Sequence, residues 1–120
     1  ARLPRLVVPN YPHHVTQRGS RRQKTFFCTA DFRAYIDFLS KAQSEAGIDI
    51  LAYCLMPNHV HFVVVPHHVD SLADLFGRAH LRYTRRINRR EKWRGHLWQE
   101  RFYSCVLDEA IYWLLFDMWS

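Results

Sequence analysis

No stretch of this 120-residue chain approaches the ~18 consecutive apolar residues of a membrane-spanning helix, and no charged-then-apolar leader opens it. A soluble protein of the cytoplasm, without a membrane partner, is the expectation. Cysteine is scarce. Cys28, Cys54 and Cys105 are odd in number and far apart, with no Cys-x-x-Cys pair, which argues against a thiolate zinc site and against a disulfide framework. Internal repeats and low-complexity linkers are absent as well. What is present is apolar: 48% of residues are hydrophobic and 15% aromatic, enough for a core and too much for disorder. At this length, residues 1–120 read as one domain.

Acidic residues are also few where the basic ones gather. Seventeen Lys and Arg against eleven Asp and Glu leave a net charge of +6. Arg78, Arg82, Arg85, Arg86, Arg89, Arg90, Lys92, Arg94 and Arg101 fall within 24 residues, opposed there only by Glu91 and Glu100. A second cluster, Arg18, Arg21, Arg22 and Lys24, lies in "QRGSRRQK". Arginine outnumbers lysine in both. Charge alone weighs a polyanionic partner evenly against an ordinary solvated face, and the arginine bias favours phosphate, whose oxygens the guanidinium fork matches.

The opening "ARLPRLVVPNYP" is proline-rich and reads as an extended arm, followed by a short strand in "HHVTQRG" and a brief strand edge in "TFF". Phe32, Tyr35, Ile36, Leu39 and Ala42 then recur at helical spacing, with Thr29 as cap and Gly47 as stop. "IDILAYCL" and "HVHFVVV" form antiparallel strands about a Pro57-Asn58 turn. Ser71 and Asp74 make a capping-box pattern for a second helix, whose apolar stripe is Leu72, Leu75, Phe76, Ala79, Tyr83 and Ile87. A last strand in "GHLWQERFYSCVL" precedes a trailing helix from Asp108. The order β-α-β-β-α-β predicts an α+β, ferredoxin-like split βαβ fold with helices on one face of an antiparallel sheet.

In "CLMPNHVHFVVVP", His59 and His61 stand one residue apart on a strand. Residues i and i+2 share a face with ~6.6 Å between α-carbons, so two imidazoles can converge on one metal ion. A bare His-x-His is more often two half-buried histidines. Here the strand is otherwise apolar, and the preceding turn delivers both rings at its entrance. His67 and His68 read as surface residues, and His13 and His14 as structural. His80 and His96 could touch phosphate.

The segment "YCLMPNHVHFVVVP" closely resembles the single-tyrosine HUH transposases, specifically the REP-associated tyrosine transposases of bacteria. "HHVTQRGSRRQKTFF", "SLADLFGRAHLRYTRRIN" and "GHLWQERFYSCVLDE" are similar to further segments of that family in the same order. The resemblance implies that His59 and His61 bind a divalent ion, Mg2+ or Mn2+, which polarises a scissile phosphate. It also implies a tyrosine nucleophile, a 5′-phosphotyrosine link and single-stranded or hairpin DNA as partner. Arg18, Arg21, Arg22, Lys24, Arg78, Arg82, Arg85, Arg86, Arg89 and Arg101 would then contact DNA. Tyr83, Trp93, Trp98 and Phe102 could stack on bases, though core packing suits most of them. Such transposases act as dimers or as monomers, so a homodimer is left open.

The family's tyrosine, in the pattern Arg-Tyr-x-Glu-Leu-Asn-Pro-Val on the final helix, is missing. Its expected place is Met118, within "LDEAIYWLLFDMWS". Tyr112 is the nearest stand-in, but six residues early means ~9 Å and ~240° of displacement on a helix. A two-base frame shift of a back-translated tail can restore the expected pattern. The expectation is therefore a chain that keeps its metal ligands and DNA-binding body but cleaves weakly. Two other readings compete: a non-catalytic nucleic-acid binder with aromatics on its central strands, and a zinc-stabilised domain in which His13 or His14 adds a ligand. The second requires the first strand to lie beside His59.

Overall fold

Along His13–Arg18 (β1), buried and half-buried side chains alternate until the exposed Arg18, the signature of a strand with one face on a core. The computed structural model describes residues 6–99 and 101–108. After a short 3-10 turn at Ser20–Arg22 come α1 (Thr29–Ala46), β2 (Ile48–Met56), β3 (His59–Pro66), α2 (Ser71–Glu91) and β4 (Tyr103–Val106). The four strands form one antiparallel sheet in the order β2-β3-β1-β4. This is the ferredoxin-like split βαβ arrangement that the sequence predicts. The trailing helix expected after Asp108, with Tyr112 and Met118, lies outside the described residues.

Both predicted helical stripes face the sheet. Tyr35, Leu39 and Ala42 of α1 are buried, as is the whole α2 stripe from Leu72 to Ile87. They close over Val15, Val60, Phe62 and Val64 of the central strands. Phe62 meets Phe76 with ring centroids 5.1 Å apart, which fixes α2 on this face. Gly47 ends α1 with φ 67°, the left-handed geometry that glycine adopts without a Cβ clash.

Several local expectations are corrected. Thr29 is the first helical residue rather than a cap; α1 starts after Cys28 without a side-chain cap bond. Asp31 instead accepts the Phe27 N–H at 3.0 Å. Ser71 and Asp74 form no capping box. The Ser71 hydroxyl accepts the His68 N–H at 3.0 Å and donates to the Gly47 carbonyl at 2.9 Å, tying the start of α2 to the end of α1. "TFF" is not a strand: the Thr25 and Phe26 N–H groups both bond the Pro57 carbonyl, and Phe26 enters the core. The last strand is short, and upstream of it Trp98 makes only an isolated bridge to Gly19.

His80, expected as a phosphate contact, is instead half-buried and packed against core aromatics. Its ring stacks on Trp98 at 4.5 Å and 16°, and its Nε2 is hydrogen-bonded to the Tyr35 hydroxyl at 2.7 Å. Burial pushes its pKa down to about 3, from 6.5. Between those values only the unfolded chain binds the proton, so stability rises with pH across the window and is lost as pH falls below about 6.5. The ceiling is ~1.4 kcal/mol per pH unit, and partial exposure of the ring reduces it. Urea midpoints are expected to fall between pH 7 and pH 5, and the fall to shrink in His80→Asn. An unchanged pH dependence in that variant would contradict this assignment.

Candidate functional site

The period-two pattern of β3 sends Val60, Phe62 and Val64 into the core and leaves His59 and His61 half-buried on the face away from the helices. Their ring centroids are 4.9 Å apart and their planes nearly perpendicular, at 81°. The register places Arg18 opposite His59 and Thr16 opposite His61 on β1. On the other side, Met56 and Cys54 of β2 occupy the same two rows. The imidazoles therefore sit on a strand that is hydrogen-bonded on both sides.

Each ring has a partner at Nδ1. The Asn58 side-chain amide oxygen lies 2.7 Å from His59 Nδ1, which must then carry the proton and donate. The Asn58 amide is oriented by its own N–H, which points to the Arg22 carbonyl at 3.5 Å. His61 Nδ1 lies 3.3 Å from His14 Nε2, and these two rings are parallel within 5° with centroids 5.5 Å apart. Burial lowers the pKa of all three histidines. For His59 the Arg18 charge adds to it, and for His61 so do His59, His14 and Arg18. The rings are thus held neutral near pH 7, the state in which imidazole can offer a lone pair to a cation. With Nδ1 as donor, the free lone pair of His59 is on Nε2. The pair fits a divalent ion as two nitrogen ligands, and no group of three or more His, Cys, Asp or Glu positioned for a metal occurs among the described residues.

The basic residues separate into three places. Arg18 borders His59, and the turn carrying Arg21 and Arg22 packs against the β2–β3 hairpin. Arg21 and Arg22 both hold positive φ, 55° and 60°, a strained conformation for non-glycine residues. The adjoining Gly19 is required by space, since a Cβ there would lie 2.2 Å from the Gln23 carbonyl oxygen. Between this turn and the end of α2 opens a cleft of about 450 Å³ lined by Arg21, Arg94, His96 and the exposed Trp93. It joins the two basic segments that the sequence keeps some seventy residues apart. Lys24 is exposed and Arg101 half-buried.

The arginines of α2 lie elsewhere. Arg82, Arg85, Arg86, Arg89 and Arg90 line a groove with Phe38 in the helical layer, across the sheet from the imidazoles. Arg90 makes two hydrogen bonds to Asp31, at 2.6 and 3.1 Å, and Arg86 reaches the same carboxylate at 3.6 Å. Burial alone would raise the Asp31 pKa, but the bonds from Arg90 and the Phe27 N–H hold it below the usual range. Arg78 pairs with Glu45 across the two helices. Of the aromatics considered for stacking, Tyr83 and Trp98 are buried and Phe102 packs against Phe76, while Trp93 is exposed. Sequence reading took His14 as structural, or with His13 as a possible extra zinc ligand, and did not use the alternation that separates the outward His14 from the buried His13. It also missed Tyr103, exposed on that face opposite Thr16. The Tyr103 hydroxyl is held above its ordinary pKa by its hydrogen bond to Cys105.

A family model described as "Transposase IS200 like" matches residues 7–113. The chain is similar to a solved REP-associated tyrosine transposase bound to a REP hairpin, with TM-score 0.76 and 15% identity over 97% of this chain and 67% of that one. It is also similar to a candidate transposase from Deinococcus radiodurans, with TM-score 0.67 and 19% identity over 98% of this chain and 95% of the other. No curated protein matches it.

Proposed function

The chain belongs to the IS200-like transposase family, and from that premise we propose that it binds single-stranded or hairpin DNA and carries a divalent-metal site at His59 and His61. The observation that carries this reading is the pair of neutral, half-buried imidazoles sharing the outer face of a central strand. Mn2+ accepts imidazole nitrogen more readily than Mg2+, which is held mainly through oxygen and water. When bound, the ion supplies Lewis-acid polarisation of a phosphodiester. With two protein ligands, much of the coordination sphere is left for phosphate oxygen and water.

DNA reaches this face past Arg18, Arg21 and Arg22, with Trp93 and Arg94 in the neighbouring cleft offering a stacking plane and a phosphate partner. The α2 arginines form a second, more distant basic surface. A solved protein of similar fold is bound to a REP hairpin, which supports a hairpin as the ligand to test first. The rival binder with aromatics on its central strands fits less well. The outer face of β1 and β3 offers His14, Thr16, Arg18, His59 and His61 instead. The zinc-stabilised alternative meets its condition that β1 lie beside β3, yet no third metal-binding group joins the pair among the described residues.

Strand cleavage needs a tyrosine, and the family's position falls at Met118 with Tyr112 as the nearest tyrosine. We therefore expect binding without efficient cutting. Incubation with Mn2+ and a single-stranded hairpin, followed by denaturing electrophoresis, should give little or no covalent protein–DNA adduct. An adduct as abundant as that of a relative with the intact tyrosine motif would overturn the impaired-cleavage reading and leave the family assignment standing.

A further inference from the structure

We propose that His14 is a positioning residue that sets the tautomer of His61 and so aims the Nε2 lone pair at the metal position. The inference rests on the reading of His59 and His61 as ligands and concerns a residue on a different strand. An imidazole has one proton for two nitrogens when neutral. The tautomer that free histidine favours carries it on Nε2, the nitrogen that leaves no lone pair for an ion there. Something must hold the proton at Nδ1. For His59 that partner is the Asn58 side-chain amide oxygen, at 2.7 Å. For His61 the group found at Nδ1 is His14 Nε2, at 3.3 Å, the long end of the hydrogen-bond range, and it accepts there when His14 carries its own proton on Nδ1.

The placement follows from the sheet rather than from a flexible contact. On β1 His14 pairs with Val63 of β3, and Thr16 pairs with His61, so His14 lies on the diagonal to His61 on the same face. Its ring is parallel to that of His61 within 5°, which keeps Nε2 level with the facing Nδ1. Partners of this kind orient metal-bound histidines and raise their basicity, and losing one typically weakens metal binding by ~10–100-fold. Cys54, opposite His61 on β2, cannot replace it without a comparable acceptor nitrogen or oxygen.

The test uses the full chain and two measurements. Long-range proton–nitrogen NMR reads the His61 tautomer without any metal, and calorimetry with MnCl2 reads affinity. The wild type should show His61 protonated at Nδ1. His14→Phe, which keeps an aromatic ring but removes the acceptor, should shift the proton to Nε2 and weaken Mn2+ binding about tenfold. His14→Gln, with a carbonyl acceptor of similar reach, should restore much of both. A wild-type His61 already protonated at Nε2, or a His14→Phe chain with unchanged tautomer and affinity, would overturn the proposal. If the tautomer switches as expected but the wild type takes up no Mn2+, the metal reading fails while the role of His14 in setting the proton stands.

Discussion

Combined replacement of His59 and His61 by alanine is expected to reduce Mn2+ affinity by at least ~100-fold, beyond reach of ordinary titration, because both nitrogen ligands of the site are gone. Hairpin DNA affinity should change little, since the phosphate contacts proposed above fall to Arg18, Arg21, Arg22 and the cleft at Trp93 and Arg94. The fold should survive as well. Both rings are half-buried on the face away from the helices and make no part of the hydrophobic core. Calorimetry with MnCl2 and fluorescence anisotropy with a labelled hairpin measure the two quantities separately. Metal binding retained by the double variant would place the ion elsewhere, and a parallel collapse of DNA affinity would make the pair a binding element instead of a metal site.

Arg90→Ala is expected to cost stability, by ~3 kcal/mol, although Arg90 belongs to a stretch that looks in sequence like a nucleic-acid contact. The reason is the asymmetry of the ion pair. The Asp31 side chain is fully buried, while those of Arg90 and Arg86 are 36% and 38% exposed. Removing Arg90 strands a buried carboxylate with the Phe27 N–H and the more distant Arg86. Removing Asp31 leaves guanidinium groups that water can solvate, so Asp31→Asn should cost less. Urea denaturation of the two variants tests the order. The reverse order, or an Arg90→Ala chain as stable as wild type with weakened DNA binding, would give this arginine to the ligand.

These two expectations show where sequence was informative. The helical stripes were readable because a 3.6-residue period repeats over several turns, and Leu72 to Ile87 all reached the core. The hairpin was readable because Pro57-Asn58 breaks two apolar runs. The shared face of His59 and His61 followed from strand geometry alone. What could not be read was pairing between distant segments. Asp31 and Arg90 are 59 residues apart, and His14 and His61 are 47 apart; only the assembled sheet and helix layer brings them together. The α2 arginines misled for a related reason. Their spacing shows that they avoid the core, but not that the surface they share is the far one from the histidines.

β1 and β3 are the two interior strands, so neither His14 nor His61 stands on a free edge that could fray. Drawing those two backbone positions apart means unzipping a ladder on each side, an event close in scale to losing the whole fold. The register that sets the two rings side by side is therefore as durable as the sheet that makes it.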